Sequence, residues 1–176
     1  MRRVALVMAA AMVLGTGLAT SASPAFAKEK KIESCKKDKN LDDNIQAAFV
    51  PFFLGATAAE RGAAVQDGDK IIPFIDESNK AAQAAGQSSS ATATYPVSID
   101  ATCDGKKAAT FEYDLALNVP KPVTAVPSTG IGLNFAGDAA LVKGKWLITA
   151  LTICDLIGQN PATPTIGQRC QDAALG

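Results

Sequence analysis

The sequence contains no histidine. That excludes Ser–His–Asp and Cys–His nucleophilic catalysis and removes the usual acid–base group of neutral pH. Aromatic residues make up only 6% of the chain, with one Trp and two Tyr among them. An excess of either charge is also missing, since 17 basic residues balance 17 acidic ones. A nucleic-acid partner calls for a clear basic excess, so none is expected. No glycine-rich phosphate loop follows a strand-like run, which argues against a nucleotide site. Beyond the first residues, no run approaches the ~20 apolar positions of a transmembrane helix.

What is present begins with a leader. Arg2 and Arg3 precede the apolar run "VALVMAAAMVLGTGLA", and "AFA" at Ala25 to Ala27 is a small-x-small cleavage signal before charged "KEKK". Residues 1–27 therefore read as a signal peptide cut after Ala27. No cysteine stands at the cut, so no lipid anchor is expected. The expected product is secreted, to the medium or the cell envelope. Its length of about 150 residues suits one domain. Without Arg2 and Arg3, 15 basic residues face 17 acidic ones, a net charge of about −2. Residues 28–40 are lysine-rich: Lys28, Lys30, Lys31, Lys36, Lys37 and Lys39, mixed with Glu29, Glu33 and Asp38. They read as a solvated flexible tail, with docking on an anionic envelope as the alternative.

Helices are expected first. In "LDDNIQAAFVPFFLG", Leu41, Ile45, Ala48, Phe49 and Phe52 recur on one helical face. Pro51 should tighten the last turns, and Gly55 should stop them. Thr57 is placed to cap a second helix, Ala58 to Gln66. Asp69 is placed to cap a third, through about Ala85, with Pro73 in its first turn or two. "GQSSS" closes the helical half.

Strands are expected next. "YPVSIDATC" alternates through Tyr95, Val97, Ile99 and Ala101, and "KAATFEYDLAL" through Ala109, Phe111, Tyr113, Leu115 and Leu117. A three-residue loop, Cys103-Asp104-Gly105, keeps one face apolar by pairing Ile99 with Ala109, Val97 with Phe111 and Tyr95 with Tyr113. It also gives Gly105 the position that needs positive φ. Ser98, Asp100, Thr110, Glu112 and Asp114 then face water. "NVPKPVTAVPSTG" is a connection. "IGLNFAGDAALV" is a third strand with a bulge or bend at Gly137, and "WLITALTIC" a fourth. The order implies an α+β domain, with three N-terminal helices on one face of a four-stranded antiparallel sheet.

Four cysteines in an exported chain read as two disulfides, since a zinc site would want CxxC spacing or histidine. A meander puts the "KGK" turn and Cys103 at one end and carries Cys154 to the other. A strand of ~9 residues spans about 30 Å, and disulfide Cα atoms lie within ~7 Å. Cys103–Cys154 is therefore disfavoured. Cys154–Cys170 with Cys35–Cys103 is favoured; Cys35–Cys154 with Cys103–Cys170 stays open.

Three stretches, "AAFVPFFLGATAAERGAAVQDGDKIIPFID", the Asp-Gly hairpin and "GKWLITALTICDLIG", resemble the secreted low-molecular-weight antigen family of mycobacteria and related actinobacteria. The resemblance covers residues 41–158. It implies a cystatin-like or NTF2-like fold, in which the sheet is curved, export and antigenicity, and no established activity. Residues 159–176 are expected to form a C-terminal tail pinned over the domain through Cys170.

Phe49, Phe52 and Phe53 share a wide helical face and read first as core, worth ~2 kcal/mol or more each when buried. With Tyr95 and Tyr113 they are also the candidate wall of a ligand pocket, because a cone of the implied family fold often has one there. A tyrosine acting as oxyanion donor would need an inward carboxylate, and the expected register supplies none. Asp67, Asp69, Asp76 and Glu77 lack EF-hand spacing, so no metal site is expected. No catalytic residue and no cofactor emerge. The chain reads as a non-enzymatic exported domain binding a small apolar ligand or an envelope component. The alternatives are a small isomerase or hydrolase in the cone, or a structural module that forms a homodimer.

Overall fold

The computed structural model describes residues 31–86 and 91–176, so the leader and its cleavage site lie outside the described residues. Helix α1 spans Leu41–Leu54 and buries Ile45, Phe49 and Phe52. It ends as expected at Gly55, whose N–H donates to the Pro51 carbonyl (2.9 Å). Helix α2, Ala58–Gly62, opens on a capping box. The Thr57 hydroxyl accepts from the Glu60 N–H, and the Glu60 carboxylate accepts from the Thr57 N–H.

That helix was expected to reach Gln66 and does not. The backbone folds back at Gly62 so tightly that a Cβ on Gly68 would lie 1.9 Å from the Gly62 carbonyl oxygen. Val65–Gln66 instead form a short strand, β1. Asp69 also caps nothing; it lies in a single 3-10 turn, Gly68–Lys70. Helix α3, Ile72–Ala84, starts from Ile71, with Pro73 in its first turn. Arg61 ties this half together, donating to the Gly55 carbonyl and to Asn79 Oδ1.

The strands are β2 (Thr92–Cys103), β3 (Ala108–Pro120), β4 (Phe135–Val142) and β5 (Lys145–Thr149). Their order is β1-β5-β4-β3-β2, and β1 runs parallel to β5 while the rest are antiparallel. The domain is thus α+β, as expected, but its sheet is five-stranded and mixed.

The run "WLITALTIC" changes structure halfway. Its first part is β5. At Thr149 the side chain accepts the Thr152 N–H and starts helix α4, Ala150–Gln159. Ala150, Ile153, Cys154 and Ile157 are buried at helical spacing. Where β5 stops, the Thr152 hydroxyl replaces it against β4. That hydroxyl accepts from the Asp138 N–H (2.7 Å) and also approaches the Asp138 carbonyl (3.3 Å). The expected irregular tail is helix α5, Pro164–Leu175. It lies against α4, with Gly167 so close to Gly158 that a Cβ there would sit 2.3 Å from the Gly158 Cα. Arg169 of α5 reaches Glu77 of α3 (2.6 Å).

The β2–β3 register also departs from expectation. Cys103 faces Ala109 and Ala101 faces Phe111, so Cys103 closes the ladder rather than sitting in the turn. Gly105 does take positive φ (89°). This longer tip presents the Lys106 carbonyl to the Cys35 N–H (2.9 Å) and the Lys107 carbonyl to the Leu141 N–H (2.8 Å). Further along, two irregularities interrupt the pairing, between Val97 and Asp100 and between Ala93 and Tyr95. Ser98 (φ 54°) and Asn118 (φ 56°) adopt left-handed backbone there. One extra residue reverses the faces, so Tyr95 meets Ala116 rather than Tyr113. Gly137 is no bulge. It pairs regularly with Phe111, and its missing Cβ leaves space for the Phe111 ring and the Thr152 methyl.

Both disulfides join the favoured partners, Cys35 with Cys103 and Cys154 with Cys170. The reason differs from the meander argument, because Cys154 lies on a helix and meets Cys170 on its neighbour. The lysine-rich segment is fixed from Ile32 onward, where the Ile32 N–H donates to the Gly144 carbonyl (3.3 Å). Asp38 accepts from Trp146 Nε1 (2.8 Å), Asn44 Nδ2 (2.8 Å) and the Asn40 N–H (3.1 Å). At the outer edge of the sheet, side chains of α1 take up groups of β2. Gln46 Nε2 donates to the Pro96 carbonyl, and Asp42 Oδ1 accepts from the Ala101 N–H, both at 2.9 Å.

Candidate functional site

The aromatic residues proposed as a pocket wall are closely packed. Phe49 is fully buried, Phe52 and Tyr113 nearly so, and Phe53 partly. The Phe49 ring centroid lies 5.0 Å from Phe53, 5.0 Å from Tyr113 and 5.7 Å from Phe111, in tilted or edge-on contact. Phe135 stacks on Tyr113 at 5.4 Å. Tyr95 stands apart, in a second buried cluster with Val97 and Ala116 against Val50 of α1. Four of the five residues therefore meet under α1, and the fifth does not join them. Burial, with a further contribution from the Asp155 charge, pushes the Tyr113 phenol far above its usual pKa.

A cavity of about 420 Å³ lies across β2, β3 and β4 toward α4. Asp100 and Thr102 line it from β2, Thr110, Phe111 and Glu112 from β3, Ala136, Gly137 and Asp138 from β4, and Thr152 and Asp155 from α4. Its four carboxylates and three hydroxyls suit a polar, hydrogen-bonding occupant better than an apolar one. Among the described residues, no group of three or more His, Cys, Asp or Glu is arranged to hold a metal ion. Alternation in β2 and β3 brought Asp100, Thr110 and Glu112 to this face by sequence alone. Asp138, Thr152 and Asp155 were missed; the run holding Thr152 was read as strand, and Asp155 directly follows that run.

Asp114 was expected to face water and is buried instead, at 7% exposure. Its carboxylate accepts from the N–H groups of Leu115 (2.7 Å), Gly132 (2.8 Å) and Leu133 (3.3 Å). Burial raises its pKa, but the N–H groups of Gly132, Leu115, Leu133 and Ile131 outweigh that and hold the carboxyl below its usual range. A Cβ on Gly130 would strike this carboxylate at 2.1 Å. The group therefore anchors the connection between β3 and β4.

No family model, curated protein or solved structure matches the chain. The two disulfides are compatible with an oxidising, exported setting. No helix among the described residues is long and apolar enough to cross a membrane.

Proposed function

We propose that the protein is an exported, disulfide-tied domain that acts by binding a component of the cell envelope rather than by turnover. The observation carrying this reading is the use of all four cysteines in two disulfides, each joining separate elements. Such cross-links suit a small domain working outside the reducing cytosol. The resemblance to the secreted low-molecular-weight antigens, with their cystatin-like or NTF2-like fold, agrees with it. An apolar small ligand is less well supported, because the rings under α1 already fill one another's space.

A small isomerase or hydrolase is the second reading. Its support is Asp155, which lines the cavity and bears electrostatically on Tyr113. Tyr113 does not itself line that cavity, so binding is preferred. Cell fractionation with N-terminal sequencing and intact mass tests the proposal. The expected major form begins at Lys28, lacks free thiols and stays with the envelope until released. A cytoplasmic form beginning at Met1 with four free thiols would overturn it.

A further inference from the structure

The fold gathers charge that the sequence spreads out. Cys35–Cys103 and the Cys35 N–H to Lys106 carbonyl bond bring the lysine-rich segment to the β2–β3 tip. The Ile32 N–H to Gly144 carbonyl bond adds the β4–β5 turn. Lys31, Lys36, Lys37 and Lys39 come from the first segment, all exposed. Lys106 and Lys107 come from the tip, and Lys143 and Lys145 from the turn, again exposed. Among the described residues, three carboxylates, Glu33, Asp38 and Asp104, stand against these eight lysines. Glu33 pairs with Lys37, and Asp38 is taken up by Trp146 and Asn44. Asp42 and Asp43, in the first turn of α1, are the next carboxylates along the chain. Elsewhere in the described residues only Arg61, Lys70, Lys80, Lys121 and Arg169 face 13 carboxylates. A chain with no net charge thus folds into a molecule with one basic pole.

We infer that this pole docks the protein on an anionic phospholipid surface, an inference that rests on the exported, envelope-binding reading. All eight cations are lysines, which act as point charges and do not form the bidentate fork of arginine. They therefore suit a field of headgroups better than one shaped anion. The pole's only tryptophan, Trp146, is buried and already bonded to Asp38, so no exposed indole is offered for stacking on nucleobases. The lysines project from three neighbouring loops and meet an extended surface together.

Sedimentation with vesicles tests this, using the protein purified from expressing cells or their medium, with its intact mass recorded. Phosphatidylglycerol vesicles are expected to bind it, and phosphatidylcholine vesicles are not. Binding should vanish near ~0.5 M NaCl, where the screening length is about 4 Å. The variant Lys36→Gln/Lys106→Gln/Lys143→Gln should weaken binding about a hundredfold. Lys70→Gln/Lys80→Gln/Lys121→Gln, with the same change in net charge, should weaken it less than about threefold. Circular dichroism of both variants should match the parent. Equal binding to the two lipids, equal loss in the two variants, or capture by soluble polyphosphate with none by vesicles overturns the inference. The recorded mass reports separately on cleavage after Ala27, so failure of the export reading shows independently of the lipid result.

Discussion

Cys35–Cys103 joins residues 68 apart in sequence, whereas Cys154–Cys170 spans only 16. The first gathers three loops. Around it, Asp38, backbone bonds from Ile32, Cys35 and Leu141, and the buried Trp146 add further order. The second disulfide lies fully buried between two helices that are already fitted together at Gly158 and Gly167. The Thr163 hydroxyl donates to the Ile157 carbonyl (2.6 Å) and fixes the turn between them. One end is a set of loops drawn together by a long-range cross-link, and the other is a packed helical hairpin closed by a short one.

Removing each tie measures that difference. Cys35→Ala with Cys103→Ala is expected to cost about 4 kcal/mol, from loop closure over the longer separation. Proteolysis should then cut first within residues 31–40. Cys154→Ala with Cys170→Ala is expected to cost about 3 kcal/mol and leave the helical hairpin protease-resistant. Urea unfolding with limited proteolysis reads both. Should the second pair prove the costlier, the disulfide rather than the packing holds that end.

A smaller effect tests the packing directly. Gly167→Ala would place a methyl 2.3 Å from the Gly158 Cα, against backbone, and should cost ~1–3 kcal/mol. The reciprocal Gly158→Ala meets only an ordinary 3.6 Å contact and should be neutral or slightly stabilising, as alanine suits a helix better than glycine. Thermal melts of the two variants distinguish them, and equal melting temperatures would contradict the close approach.

The smallest expected effect concerns a fastening that, unlike a disulfide, titrates. The folded pKa of Asp114 lies below the usual value. Its contribution is therefore present above the unfolded pKa of about 3.9 and is lost as pH falls through the folded pKa. At pH 7, Asp114→Asn should melt lower than the parent. The gap should narrow as pH drops below about 4. A gap independent of pH would show that the carboxylate charge has no part in holding residues 130–133.

Much of the architecture was legible because local chemistry and tertiary packing agree. Ile45, Phe49 and Phe52 mark the buried face of α1, and Thr57 with Glu60 marks the next helix start. Legibility failed where one pattern serves two structures. "WLITALTIC" is mostly apolar, so periods of 2 and 3.6 both fit it, and only Thr149 hints at the change. In α5, Ile166 and Cys170 supply the spacing, but the helix is mostly polar and buries only a narrow stripe. Ser98 takes positive φ without being glycine, so nothing local announced the reversal that separates Tyr95 from Tyr113. For Asp114 two of the partners are backbone groups 18 and 19 residues further on, and backbone donors leave no mark in a sequence.

The side chains of α1 on β2 have a consequence for how molecules meet. An outermost strand normally offers a row of open backbone groups onto which another chain can add itself as the next strand. Here Gln46 occupies the Pro96 carbonyl, Asp42 occupies the Ala101 N–H, and Pro96 has no N–H to offer. The opposite margin is the two-residue β1, too short to template anything. Strand addition is hindered at these positions of β2, and at the other margin β1 covers Ile148 and Thr149 of β5.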